Sequence, residues 1–272
     1  MHKTYFISGA DSGIGLALAD ALAKEGHRVF ATAPTPEQLQ TLVGRSAHIH
    51  PLLLDLRNDA HIAALKPSVL QHCDHLDGLI NNAGIGLAGP IELLDLDALR
   101  DSFQINVFGH LAVTQALLPL LRRAQQGRIV FTGSMAGFLS IPLASAYSAS
   151  KFSLRAFCDA LRIELRPQNI RVSLIQPGSI KTPIWSRQPF KSLDGHPQLH
   201  HYKDEVEKAQ RDLPRMGAKG APVAIVTTAI THALHSRYPR ARYLVGLDAR
   251  LAFLARLLPP FIFDRLLGWM MR

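Results

Sequence analysis

Apolar residues along most of this chain fall into short continuous runs that alternate with longer stretches of helical periodicity. Thr4 to Ser8, Arg28 to Thr32, Ile49 to Leu54, Leu76 to Ile80, Gly127 to Thr132, Ile170 to Gln176 and Arg242 to Val245 read as strands. Continuous apolar runs bounded by turn residues suit buried strands of an α/β sheet. Helical patterns lie between them. The first is LALADALAKEG, closed by Gly26, and the second runs from about Pro36 to Val43. A long one spans about Asp97 to Arg123, another carries Tyr147 and ends near Pro167, and the last covers Ala221 to His235. The alternation predicts one α/β domain over residues 1–272.

Two segments depart from the pattern. From about Ile184 to Lys219 (184–219) both periods lapse among prolines and mixed charge, as in HYKDEVEKAQRD. An irregular insertion of that length predicts a substrate lid, for which Trp185, Phe190 and Tyr202 supply apolar contact groups. The tail at about 249–272 ends in LAFLARLLPPFIFDRLLGWMMR, whose Pro259-Pro260 divides it into two short helices. Two accounts of it stand: packing in the core or a subunit interface, or a surface that touches membrane or channels an apolar substrate. No internal repeat or linker interrupts the chain.

Composition narrows the picture. With 272 residues, 47% of them hydrophobic, the chain can bury a large core. Its two cysteines, Cys73 and Cys158, are too few for a disulfide framework and suggest a reducing, cytoplasmic setting. The start, MHKTYFISGADSGIG, contains no signal-like apolar run, and no segment offers about 18 uncharged apolar residues, so no spanning helix is expected. The net charge of +9 suits an anionic partner: nucleotide phosphates, nucleic acid or an anionic membrane. Basic residues without aromatic interleaving argue against nucleic acid.

The candidate chemistry sits where strands end. Gly9-Ala10-Asp11-Ser12-Gly13-Ile14-Gly15 follows the first strand and opens a helix. Glycines let a backbone approach a pyrophosphate, and the helix N-terminus offers free N–H groups; a plain tight turn is the bland alternative. After the second strand, Ala33-Pro34-Thr35 supplies neither the acid that binds ribose hydroxyls nor the Arg that accommodates a further phosphate. Asp55 ends the third strand, either as a ligand contact or as a helix N-cap. Asn81-Asn82-Ala83-Gly84 ends the fourth and suits a loop pressed against a cofactor, or simple turn chemistry. Asn106 inside an apolar helix is either a satisfied amide or a distortion that holds a relay water. Ser134 follows the fifth strand. Tyr147 and Lys151 share a helix face at i and i+4, where an ammonium can lower a phenol's pKa from about 10. Pro177 to Pro183 forms a shaped loop after the sixth strand. No metal-ligating set is expected.

Taken in order, SGADSGIG, Asp55, NNAG, Asn106, Ser134, YSASK and PGSIKTP resemble the short-chain dehydrogenase/reductase family, closely from about Thr4 to Pro183. The resemblance implies a doubly wound Rossmann sheet of about seven strands with helices on both faces, and an NAD(P)-dependent oxidoreductase. It makes Tyr147 the general acid or base, Lys151 its electrostatic partner and nicotinamide-ribose contact, Ser134 the substrate's hydrogen-bond donor, and Asn106 the holder of a relay water. Gly9, Ser12, Gly13, Ile14 and Gly15 would line the pyrophosphate, with Ala33 near the ribose and Asp55 at the adenine. Asn82, Ala83 and Gly84 would border the cofactor, and Pro177, Gly178, Ile180 and Thr182 the carboxamide. NNAGIGLAGPIELLDLDALRDSFQINVFGHL, YLVGLDARL and the tail look most like the retinol and hydroxysteroid dehydrogenase branch. That similarity implies a lipophilic alcohol or carbonyl substrate, a slight lean to NAD, a homodimer or homotetramer, and a cytoplasmic protein with membrane contact through the tail as one option. A reductase of acyl thioesters and a catalytically silent nucleotide sensor are the alternatives.

Overall fold

A computed structural model describes residues 2–187 and 189–271, with side chains to residue 268. The parallel sheet comprises β1 (Thr4–Ile7), β2 (Arg28–Ala33), β3 (Ile49–Leu53), β4 (Gly78–Asn81), β5 (Gly127–Thr132), β6 (Ile170–Pro177) and β7 (Arg242–Val245). Their order is β3-β2-β1-β4-β5-β6-β7. Strand β2 lies on one side of β1 and β4 on the other, so the connections diverge at the C-terminal ends of β1 and β4. A crevice at such a point is where open α/β sheets bind ligands.

The helices are α1 (Gly13–Lys24), α2 (Pro36–Leu39), α3 (Asp59–Leu70), α4 (Leu96–Phe103), α5 (Gly109–Leu121), α6 (Ser145–Glu164), α7 (Lys203–Lys219), α8 (Ala224–His235), α9 (Leu247–Ala255) and α10 (Pro260–Met271). Side-chain alternation along the strands builds a core on each face of the sheet. Tyr5, Ile7 and Val130 face α1 and α8, whereas Phe6, Ile129 and Phe131 face α3, α5 and α6. Both layers are built from apolar side chains, which explains why the strand runs carry so few polar residues.

Several elements differ from the sequence expectation. The long apolar helix is broken by a π-helical turn, Gln104–Phe108, between α4 and α5. The rod Leu96–Leu121 is long and apolar enough to cross a membrane by composition, but half of its apolar window is buried inside the protein. Helix α2 stops after one turn. Helix α3 is capped by Asn58, whose side chain accepts from Ala60 and His61 N–H; Asp55, offered by the sequence as the cap of that helix, does not cap it. Helix α8 starts at Ala224 because Ala221 is bridged to Ile180. The stretch read as irregular contains α7, a 17-residue helix. Its inward stripe is narrow: Val206, Ala209 and Leu213 pack with Phe190 and Leu193 in a small third core, and charges and Pro214 fill the rest. The tail forms two helices that part at Pro259-Pro260, as the prolines predict; Arg272 lies outside the described residues.

Candidate active site

The C-terminal ends of β1, β4, β5 and β6 open into a cavity of about 700 Å³. Gly9, Ser12, Gly13, Ile14, Asp55, Asn82, Ala83, Gly84, Ser134, Tyr147, Lys151, Pro177, Gly178, Ile180 and Thr182 all line it. Three expected residues do not. Ala33 is fully buried within β2, and Pro34 takes its place at the wall. Gly15 instead lets α1 press on the preceding loop, since an added Cβ would lie 2.1 Å from Gly9 O. Asn106 is buried behind the wall.

The phosphate-facing end is held by backbone and amides. Gly9 and Gly13 have φ of +63° and +57°, the left-handed region that favours glycine. Ser12 begins α1 without a side-chain cap, and the first turn carries no acid, so the helix N-terminus faces the cavity as an anion site. Asn82 braces this loop: its Nδ2 donates to Ser8 O at 3.2 Å and Gly9 O at 2.9 Å. These features fit a dinucleotide pyrophosphate.

Where β3 ends at the cavity wall, Asp55 is engaged by Arg57, which donates to both carboxylate oxygens at 2.8–3.2 Å. That guanidinium holds the Asp55 carboxyl below its usual range. Arg57 also reaches Asp101 at 3.6 Å. Arg187, from the segment 184–219, donates to Ser12 Oγ at 2.9 Å and Asp11 Oδ2 at 3.3 Å, laying a strap over the glycine turn. Sequence reasoning passed over both arginines, since no local pattern marks them.

The reactive end lies on α6 and the turn after β5. Ser134 caps the short turn Met135–Gly137, its Oγ accepting from Ala136 N–H at 3.1 Å, and its hydroxyl acts on the Tyr147 phenol to lower its pKa. Lys151 Nζ donates to Thr132 O at 3.0 Å and sits 5.7 Å from the centre of the Tyr147 ring. The electrostatics differ from the simple expectation. Burial pushes the Tyr147 phenol up to about 12, only partly opposed by Ser134, and burial lowers Lys151 to about 8. The ammonium donates to the Thr132 carbonyl, and burial dominates the phenol.

Asn106 acts here as a bracket. Its Oδ1 accepts from Ile85 N–H at 2.9 Å, and its Nδ2 donates to Ile85 O at 2.9 Å and Ser150 Oγ at 3.1 Å. The π turn thus ties the loop after β4 to α6. His110, one turn further on, is fully buried with Nε2 on Ala83 O at 2.8 Å. Asp248, at the start of α9, accepts from Ser179 N–H at 2.6 Å in the loop after β6. An added Cβ on Gly178 would fall 2.0 Å from that carboxylate, so the glycine makes room for it.

Beyond Ser134, Leu87, Ile141, Leu143, Phe190, Leu213 and Met216 line the same cavity with apolar side chains. Trp185 packs against Gly217 and donates Nε1–H to Ile180 O at 2.6 Å, tying α7 to the loop after β6.

Comparison with known proteins places this geometry. An uncharacterized oxidoreductase of Escherichia coli K12, YbbO, is 34% identical over 98% of this chain and 94% of its own length. Mouse retinol dehydrogenase 5 is 34% identical over 98% of this chain and 88% of its own. Rat 17-beta-hydroxysteroid dehydrogenase type 6 shares 34%, with coverages of 98% and 89%. A Burkholderia phymatum short chain dehydrogenase/reductase solved with NAD superposes at TM-score 0.80, with 27% identity over 93% of this chain and 92% of that one. One from Burkholderia cenocepacia solved with NADP gives 0.71, with 25% identity and coverages of 95% and 98%. The family model for short chain dehydrogenases matches residues 3–191, and the chain belongs to that family of NAD(P)-dependent oxidoreductases.

Proposed function

We propose that the protein transfers hydride between a nicotinamide coenzyme and a lipophilic alcohol or carbonyl of steroid or retinoid type, using Ser134, Tyr147 and Lys151. The observation that carries this reading is the junction of a phosphate cradle, a Ser–Tyr–Lys cluster and an apolar chamber in one cavity. The retinol and hydroxysteroid dehydrogenases among its relatives support the substrate class.

When bound, the nicotinamide supplies or accepts the hydride. In reduction, Ser134 Oγ donates a hydrogen bond to the carbonyl oxygen, and the Tyr147 hydroxyl gives that oxygen its proton. In oxidation, the tyrosine oxygen receives the alcohol proton as general base. The Lys151 ammonium stabilises the phenolate that forms. Apolar walls exclude water from the reacting carbon.

A free substrate is favoured over a carrier-bound acyl chain. The apolar chamber of Leu87, Ile141, Leu143, Phe190, Leu213 and Met216 suits a free lipophilic molecule. For the coenzyme we favour NAD slightly. Pro34 and Gln38 border the cavity beside β2, and the charge of Arg57 is already matched by Asp55 and Asp101.

The experiment is a kcat/KM panel of steroids, retinoids and an acyl thioester with both coenzymes. Activity confined to the thioester would overturn the substrate class. Tyr147→Phe should lower kcat by about 10²–10⁴-fold, the usual worth of general acid–base catalysis, while coenzyme Kd stays unchanged. Near-normal turnover in that variant would remove Tyr147 from the mechanism.

A further inference from the structure

Arginines gather on a face away from the catalytic cavity. Arg162, Arg166 and Arg171 line a second cavity, of about 200 Å³, where α6 ends and β6 begins, with Pro239 and Ala241 beside them. Arg162 and Arg242 share one carboxylate, that of Asp159. The row continues toward the tail: burial, and then the charges of Arg242 and Arg256, hold Arg155 below its usual range. Arg256 ends α9 as its C-cap. Between residues 155 and 171 the only acids are Asp159 and Glu164. Six guanidiniums therefore run together with little compensating charge.

Beside Arg256 the surface becomes apolar. Leu254, Leu257 and Phe261 are exposed to 60%, 74% and 73%, and Leu251 and Leu266 are also exposed. So many large apolar side chains exposed along two consecutive helices mark an interaction surface.

We propose that this face docks the protein peripherally on an anionic phospholipid bilayer, with the apolar side chains of α9 and α10 at the headgroup–acyl boundary and the arginine row on lipid phosphates. The inference does not rest on the proposed reaction. The 12 described residues of α10 rise about 18 Å, against a hydrocarbon core about 30 Å thick, a length that suits a helix lying along the interface. Pro259-Pro260 prevents α9 and α10 from merging into one longer rod. Such helices lie in the interface plane, apolar side down.

Charge separates this occupant from a second copy of the chain. A two-fold contact sets a surface patch against itself. Here that would press six guanidiniums against six more, whereas an anionic leaflet neutralises them, each contributing about 1 kcal/mol near the surface. Phosphate oxygens also match the planar guanidinium donors in pairs.

The test uses the full, untagged chain in co-sedimentation with phosphatidylcholine vesicles, with and without phosphatidylglycerol, at low and high salt. Binding is expected only with phosphatidylglycerol and should weaken with salt. Arg166→Ala combined with Arg171→Ala should lower the partition coefficient about 25-fold, about five-fold for each 1 kcal/mol lost. Leu257→Asp with Phe261→Asp should abolish binding. In both variants a retained coenzyme-dependent rise in Tm verifies the fold. Absence of binding, or equal binding to neutral vesicles, overturns the proposal. So does an aspartate variant that turns a dimer into a monomer in sedimentation velocity while vesicle binding persists; the face then belongs to a second copy.

Discussion

His110 shows how one buried side chain sets the pH response around the site. Burial, reinforced by the nearby Lys151 charge, lowers its pKa from 6.5 to about 3, although its bond to Ala83 O favours the cation. The folded imidazole thus stays neutral where an unfolded one takes a proton. Stability from this group is complete above 6.5 and is lost as pH falls toward 3, at about 1.4 kcal/mol per pH unit. His110→Gln keeps an N–H donor for Ala83 and removes the titration. Urea midpoints measured from neutral to mildly acidic pH should fall less steeply in the variant; parallel profiles would assign the acid sensitivity elsewhere. Tyr147 gives a second expectation. With its phenol raised to about 12, the oxidation kcat/KM should climb with pH above neutrality as the basic form grows, while reduction gains nothing from the same change. A flat oxidation profile would exclude the tyrosine oxygen as the titrating base. Ser134, Tyr147 and Lys151 were legible because a fixed spacing on one helix and one turn carries their geometry. Arg187 was not: its partner Asp11 lies 176 residues away, and only the folded chain brings them together.

At the scale of elements, apolar runs gave the strands to within about two residues, since burial on both faces leaves few polar positions to blur the ends. Helices were harder wherever tertiary contact overrides periodicity. The π turn at Asn106 exists because the side chain binds both backbone groups of Ile85, a partner no window of sequence displays. Helix α7 was hidden because its buried stripe is one residue wide per turn and the rest is charged. The connection from β7 to α9 carries the clearest mechanical consequence. Asp248 fixes the loop after β6 through Ser179 N–H, and Pro177, Gly178, Ile180 and Thr182 of that loop line the cavity, where we propose the coenzyme binds. Hydrogen bonds to a charged group contribute about 1.5–3 kcal/mol. Asp248→Ala should therefore weaken coenzyme Kd by about 10–100-fold. Asp248→Asn, which keeps an acceptor oxygen, should recover part of the loss. Unchanged NADH titrations in both variants would reduce this contact to ordinary packing.

For the whole molecule, alternation of strand and helix indicated a parallel α/β sheet, and motif order indicated the family. The strand order and the packing of segment 184–219 around a 17-residue helix required the folded chain. The tail joins these levels, because its two helices do different things. Helix α9 packs on β7 and on the turn after Ser134, with Ala249 fully buried and Phe253 edge-on to Phe138 at 5.6 Å. Helix α10 instead exposes Phe261, Ile262 and Leu266. Two truncations should therefore diverge. Removing residues 260–272 should leave thermal stability and the coenzyme-dependent rise in Tm nearly intact, because little buried surface is lost. Removing residues 247–272 takes away Asp248 and the contacts of Ala249 and Phe253, and each large apolar side chain buried contributes about 1.5–3 kcal/mol. That chain should melt several degrees lower, as about 1 kcal/mol moves Tm by about 2–4 °C at this size, and should respond weakly to coenzyme. Equal melting curves for the two truncates would show that α9 is as dispensable as α10. An insoluble shorter deletion would place α10 in the folding core.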